Sequence, residues 1–92
     1  MALIIGNKKY DPETSQPLYS RGDGQAAFRR DGQLTVFRSP ENTIWAVLTY
    51  WPMAYGPQER ETAAGIEDVK RLCTSLNRLE ALEAIGAAPE DG

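Results

Sequence analysis

Apolar and polar residues alternate through the middle of the chain in the pattern of half-buried β-strands. Residues 33–38 and 43–51 are rich in β-branched and aromatic side chains, and residues 25–30 extend the pattern before Asp31-Gly32. An Asp-Gly pair between two such runs favours a two-residue hairpin turn, because both central residues tolerate a positive φ. Residues 39–42 predict a second turn, with proline at its second position. The pattern therefore predicts an antiparallel meander of three strands, 25–30, 33–38 and 43–51.

A shorter hairpin is predicted at the amino terminus. The apolar run 3–5 ends at Gly6-Asn7, which suits a tight turn with positive φ at glycine, and residues 8–10 continue as a second strand. Asp11 and Pro12 then favour the start of a helix, because aspartate accepts free backbone N–H groups and proline needs no donor there.

Proline and glycine limit the segments between these elements. We expect the helix that starts at Asp11 to last a turn or two, because Pro17 interrupts it. Residues 20–24 are expected to form a loop, and 52–62 an irregular segment because Pro52 ends the third strand.

The hydrophobic period changes to three and four residues after Gly65, which is typical of a helix that faces a core. Asn77 with Glu80 three residues later resembles a capping box, which would start another helix, and Gly86 is a natural stop. We predict two helices, 65–75 and 78–85, with one bent helix as the alternative.

These elements predict one α+β domain over residues 1–86, followed by a flexible polar tail at 87–92. Its fold would be an antiparallel three- to five-stranded β-meander with one or two C-terminal helices packed on one face. Trp45 is interpreted as core filling. The residues expected to meet between sheet and helices, unless their strand neighbours take that role, are Leu34, Val36, Ile44, Ala46, Leu48, Ile66, Val69, Leu72, Leu76 and Leu79.

The composition narrows the chemistry. The 92 residues include no histidine and one cysteine, so a histidine general base is excluded and neither an internal disulfide nor a zinc site is expected. Cys73 lies on the apolar face of the first helix, and we expect a buried, inert thiol. We expect no enzyme activity, no cofactor and no signal peptide or membrane span. The net charge of −3 is not typical of a general nucleic-acid binder.

Three groups of side chains are candidates for contact with a partner. One is acidic and lies on the predicted helices, where a merely solubilising face is the ordinary alternative: Glu67, Asp68, Glu80 and Glu83. One is the aromatic loop, rich in residues that anchor interfaces: Trp51, Met53 and Tyr55. One is basic and belongs to the two hairpins, where solvated strand edges are the ordinary alternative: Lys8, Lys9, Arg29, Arg30 and Arg38.

The stretch from Lys8 to Thr14, after an apolar strand and Gly6-Asn7, resembles the opening of a family of small phage and mobile-element proteins. Members open with an N-G-K-K-Y-D-T-E-T-A-like motif and continue with a meander and acidic helices. Residues 28–37 would fill the meander and 67–86 the helices. Pro12 replaces the usual threonine, and a glycine-rich segment is missing.

By size, charge and layout the chain is also similar to anti-CRISPR proteins, which act by stoichiometric binding. The resemblance implies an inhibitor in the cytoplasm of a host bacterium that binds a nucleic-acid-handling complex, such as a Cascade-type CRISPR effector, and blocks target DNA. The alternative is a small nucleic-acid-associated or regulatory module that uses the basic hairpin. A domain that simply forms a homodimer is a third reading.

Overall fold

The computed structural model describes residues 2–22, 32–52 and 56–90. Within these ranges the chain forms two antiparallel sheets and two C-terminal helices, which confirms the predicted α+β class. One sheet pairs the first two strands, and the other is a meander of the next four in chain order. The elements are β1 Leu3–Ile5, β2 Lys8–Tyr10, β3 Gln16–Arg21, β4 Gln33–Arg38, β5 Ile44–Tyr50, β6 Glu59–Ala64, α1 Ile66–Ser75 and α2 Leu79–Ala84.

The amino-terminal hairpin is confirmed, with Leu3 opposite Tyr10 and a positive φ of 65° at Gly6. The short helix predicted after it is wrong. The Asp11 carboxylate accepts the Glu13 N–H at 2.9 Å, and the Asp11 carbonyl accepts the Thr14 N–H at 3.2 Å. This closes a single turn, after which the chain is already extended at the start of β3.

The strand β3 was not predicted, and Ser20 and Arg21, expected in a loop, belong to it. β3 pairs with one edge of β4, with Ser20 opposite Thr35, while β5 pairs with the other edge. β3 occupies the edge of β4 that the sequence assigns to residues 25–30. Residues 25–30 and Asp31 themselves lie outside the described residues. The predicted strands 33–38 and 43–51 are confirmed as β4 and β5.

A second strand that the sequence did not predict, β6, begins within residues 52–62, which were expected to be irregular. It pairs along its whole length with β5, from Trp45 opposite Ala64 to Tyr50 opposite Glu59. Gly65 has a φ of 92° and turns the chain from β6 into α1.

Two separate helices are present, which rules out one bent helix. Asn77 has a φ of 57° and follows the last residues of α1, where its N–H donates to the Thr74 carbonyl at 3.0 Å. The next N–H, from Arg78, donates to the Cys73 carbonyl at 3.0 Å, so the two residues close α1 in a Schellman motif. The predicted role of Asn77 as the N-cap of α2 is therefore wrong. Gly86, with a φ of 73°, ends α2 as predicted.

The main core lies between the four-stranded sheet and the helices, as predicted. Its sheet side is formed by Leu34, Val36, Ala46, Leu48 and Ala63, and its helix side by Val69, Leu72, Cys73, Leu76, Ala81 and Leu82. Ile44 packs against it in a half-buried position. Two expected core residues are instead exposed, Ile66 at 43% and Leu79 at 54%, because each lies at the first turn of its helix.

The opposite face of the same sheet carries a second core that the sequence did not predict. Trp45 is fully buried there, with its ring 4.4 Å from that of Phe37 and 5.5 Å from that of Tyr10. Leu3 and Ile5 of the hairpin pack against this cluster. The hairpin therefore forms a third layer, and the sheet is covered on both faces.

Candidate functional site

The helical layer carries the four acidic residues predicted to meet a partner, and all four are exposed. Glu67 and Asp68 lie in the first turn of α1. Glu80 and Glu83 lie on α2. Acidic side chains in the first turn of a helix interact favourably with the helix dipole, so the positions of Glu67, Asp68 and Glu80 also have a structural reason.

Two of these carboxylates have a basic neighbour within the chain. The Arg71 guanidinium donates to Asp68 Oδ1 at 3.1 Å, and an Arg21 nitrogen lies 3.6 Å from Glu80 Oε2. Both pairs are exposed, where such pairs contribute little to stability. Within the described residues, no ion pair involves Glu67 or Glu83. Glu67 and Glu83 are therefore the two acidic residues of the layer whose carboxylates form no ion pair with the described residues.

Exposed apolar surface lies beside the acidic residues. Ile66 directly precedes Glu67, and Leu79 precedes Glu80. Leu79 also lines a groove of about 470 Å³ between the two helices and the chain that follows α2, together with Lys70, Thr74, Asn77, Leu82 and residues 87–90. Apolar side chains bordered by charge are typical of surfaces that bind another protein.

The other two predicted groups are only partly described. Trp51 is half-buried directly after β5, whereas Met53 and Tyr55 lie outside the described residues, as do Arg29 and Arg30. Lys8 and Lys9 are exposed on β2 and border a cleft that also contains Asp11 and Glu41. The basic character of this region is therefore diluted by acidic neighbours.

Arg78 is a residue that sequence reasoning missed. Its guanidinium donates to the Gly32 carbonyl at 2.6 Å and to the Arg21 carbonyl at 3.1 Å, so it joins the start of α2 to both ends of the segment between β3 and β4. Gly22 lies so close to Gly32 that a Cβ at Gly22 would overlap the Gly32 carbonyl. The only sequence signal was the presence of glycine at 22 and 32, and nothing local connects either glycine to Arg78.

Cys73 is fully buried in the main core, as predicted. Burial raises the pKa of its thiol, because the anion would lose its hydration, and the nearby Arg78 charge offsets this only in part. A thiol of this kind is a poor nucleophile at neutral pH.

No known protein family, curated protein or solved structure matches this chain. Among the helices of the described residues, none has the length and apolar character needed to cross a membrane.

Proposed function

We propose that this chain is an inhibitor of the anti-CRISPR type, encoded by a phage or mobile element, which binds a nucleic-acid-handling protein complex stoichiometrically and blocks target DNA. The observation that supports the proposal is the helical layer, where exposed acidic side chains lie next to exposed apolar ones. The partner in this proposal is a Cascade-type CRISPR effector, and the site of action is the cytoplasm of the bacterial host.

The chemistry of the layer matches the surface of such a partner. A channel that holds nucleic acid is lined with lysine and arginine, which contact phosphates. Glu67 and Glu83 offer carboxylates to these side chains, and Ile66 and Leu79 supply apolar contact that phosphate cannot. Charge would guide the encounter, and the apolar contacts would slow dissociation.

The test measures binding of labelled target DNA to a purified Cascade-type effector, with and without the protein. The wild type should prevent DNA binding at about one copy per effector site. The quadruple charge reversal E67K/D68K/E80K/E83K should abolish inhibition while circular dichroism stays that of the wild type, because exposed helix charges contribute little to stability.

A control places charge reversals of the same kind outside the helical layer. E13K/E41K/E59K reverses three exposed glutamates that do not line the groove beside Leu79, and it should leave inhibition intact. Full inhibition by the folded E67K/D68K/E80K/E83K variant, or equal loss in both variants, would contradict the proposed surface. A wild-type protein that leaves DNA binding unchanged would contradict the proposed function.

The second proposal is a small nucleic-acid-associated or regulatory module that binds through the basic group, of which the exposed Lys8 and Lys9 are described and Arg29 and Arg30 are not. Fluorescence anisotropy of the isolated protein with a DNA duplex separates the two. Binding that weakens steeply with salt, and that K8A/K9A removes, would support the module. No binding at low salt would contradict it.

A further inference from the structure

The two edges of the four-stranded sheet differ in their capacity to accept another strand. β3, at one edge, contains Pro17, which has no N–H, and its register with β4 shifts between Pro17 and Tyr19. Proline and irregular register are the usual means by which an edge strand avoids pairing. β6, at the other edge, contains no proline and keeps a regular register over Glu59–Ala64. Among the described residues it pairs with β5 alone.

The hydrogen bond at the end of β6 shows which of its peptide groups point outward. The Gly65 N–H donates to the Ile44 carbonyl at 2.7 Å, so Gly65 is directed at β5. Successive residues of an antiparallel strand direct their peptide groups to alternate sides. The N–H and carbonyl groups of Arg60, Thr62 and Ala64 therefore point away from the sheet.

This edge forms the floor of an open groove of about 800 Å³. One side of the groove is formed by Asp68, Arg71 and Leu72 of α1, and the other by the hairpin turn at residues 5–8. The 3.1 Å pair between Arg71 and Asp68 balances the charge of the helix side. The edge is therefore accessible through the groove, and the α1 side chains that line the groove carry no net charge that would repel a second copy.

We propose that β6 pairs with β6 of a second copy of this chain, antiparallel about a two-fold axis at Thr62, to give one continuous sheet. In this register Thr62 lies opposite Thr62 of the second copy, and Arg60 lies opposite Ala64. The outward peptide groups of the two strands then bond to each other. Threonine pairs across antiparallel strands are favourable.

Charge and length select this register over its neighbours. Glu61 lies opposite Ala63 in the proposed pairing, whereas an axis at residue 61 would place Glu61 opposite Glu61, which is destabilising. An axis at residue 63 would pair Arg60 with Ile66, which already belongs to α1, and so would shorten the ladder. The charged residues 59–61 of one β6 therefore lie opposite the small residues 63–65 of the other copy.

Cysteine cross-linking tests the register directly. Residues in a hydrogen-bonded antiparallel pair have Cα atoms about 5.5 Å apart, within the range that a disulfide spans. Thr62→Cys should form a covalent dimer under mild oxidation. Arg60→Cys should not, because the two copies of residue 60 would lie about 13 Å apart, whereas R60C/A64C should cross-link again. The wild type, with Cys73 buried, gives the baseline.

Sedimentation equilibrium from micromolar to millimolar concentration tests the association itself. The wild type should show a monomer–dimer equilibrium, and Thr62→Pro should lower the association constant at least about tenfold, since a hydrogen bond is lost on each side of the axis. The Thr62 N–H points away from β5, so this variant should keep the circular dichroism of the wild type.

A wild-type protein that stays monomeric up to millimolar concentration would overturn the proposal. Equal cross-linking of Thr62→Cys and Arg60→Cys would overturn the register. These measurements use the isolated protein, so they are independent of whether it inhibits a CRISPR effector.

Discussion

The second core predicts a measurable coupling between Ser15 and Trp45. The Trp45 indole N–H donates to Ser15 Oγ at 3.1 Å, and both residues are buried beneath the hairpin layer. Ser15→Ala removes the acceptor and leaves a buried N–H without a partner, which should lower the free energy of unfolding by about 1–3 kcal/mol. Trp45→Phe removes the donor and leaves space beside Phe37, at a cost of about 2 kcal/mol.

The two changes should not add. Once Trp45→Phe has removed the N–H, Ser15→Ala no longer breaks a hydrogen bond. The double mutant should therefore lose about 1 kcal/mol less free energy of unfolding than the sum of the two single mutants. Urea unfolding followed by far-UV circular dichroism measures all four proteins without depending on tryptophan emission. Ser20→Ala, on the exposed face of β3, is the matched control and should cost far less. Strict additivity, or a Ser15→Ala cost no larger than that of Ser20→Ala, would refute the reasoning.

Three further predictions concern other parts of the fold. In urea unfolding, Asn77→Ser should destabilise the protein by about 1 kcal/mol whereas Asn77→Gly should not, because residue 77 adopts a φ of 57°. If Asn77 acted as an N-cap instead, serine would be tolerated. Arg78→Lys should lower stability by about 1–2 kcal/mol in the same assay, because lysine cannot reproduce the fork that joins Gly32 and Arg21; an unchanged midpoint would contradict this. The pKa of the Cys73 thiol is raised in the folded state, so the free energy of unfolding should be constant below the unfolded-state pKa of the thiol and fall as pH rises above it. Cys73→Ala should show a smaller fall in this free energy between neutral and alkaline pH, and an equal fall in both proteins would contradict the prediction.

The residues that local pattern reasoning identified correctly share one property, namely that their neighbours in sequence decide their structure. Val69, Leu72 and Leu76 follow a helical period and face the sheet. Leu34 and Val36 alternate with more exposed positions along β4, and Gly6 and Gly86 adopt the positive φ that glycine favours. The exposed acidic residues of the helices followed from the same periodicity.

The errors lie where a distant residue competes with a near one. β3 was not predicted, because its pairing with β4 joins segments that lie far apart in the chain. The pair Asn77 and Glu80 fits a helix start, yet the N–H groups of Asn77 and Arg78 donate to carbonyls of α1 and so close that helix. β6 was not predicted because its residues are mostly polar. An edge strand that borders an open groove buries few side chains, and in β6 only Ala63 is buried.

The sequence by itself determined the α+β class of the protein, with a meander, a C-terminal helical part that carries exposed acidic residues, a buried cysteine and no histidine. Hydrophobic period and turn residues encode these features locally. Only the tertiary structure decided which strands meet, that the hairpin covers Trp45, that Arg78 joins α2 to the sheet, and that β6 is an open edge. Pairing and burial depend on contacts between residues far apart in the chain, where the lowest free energy is set by all layers together and not by any one segment.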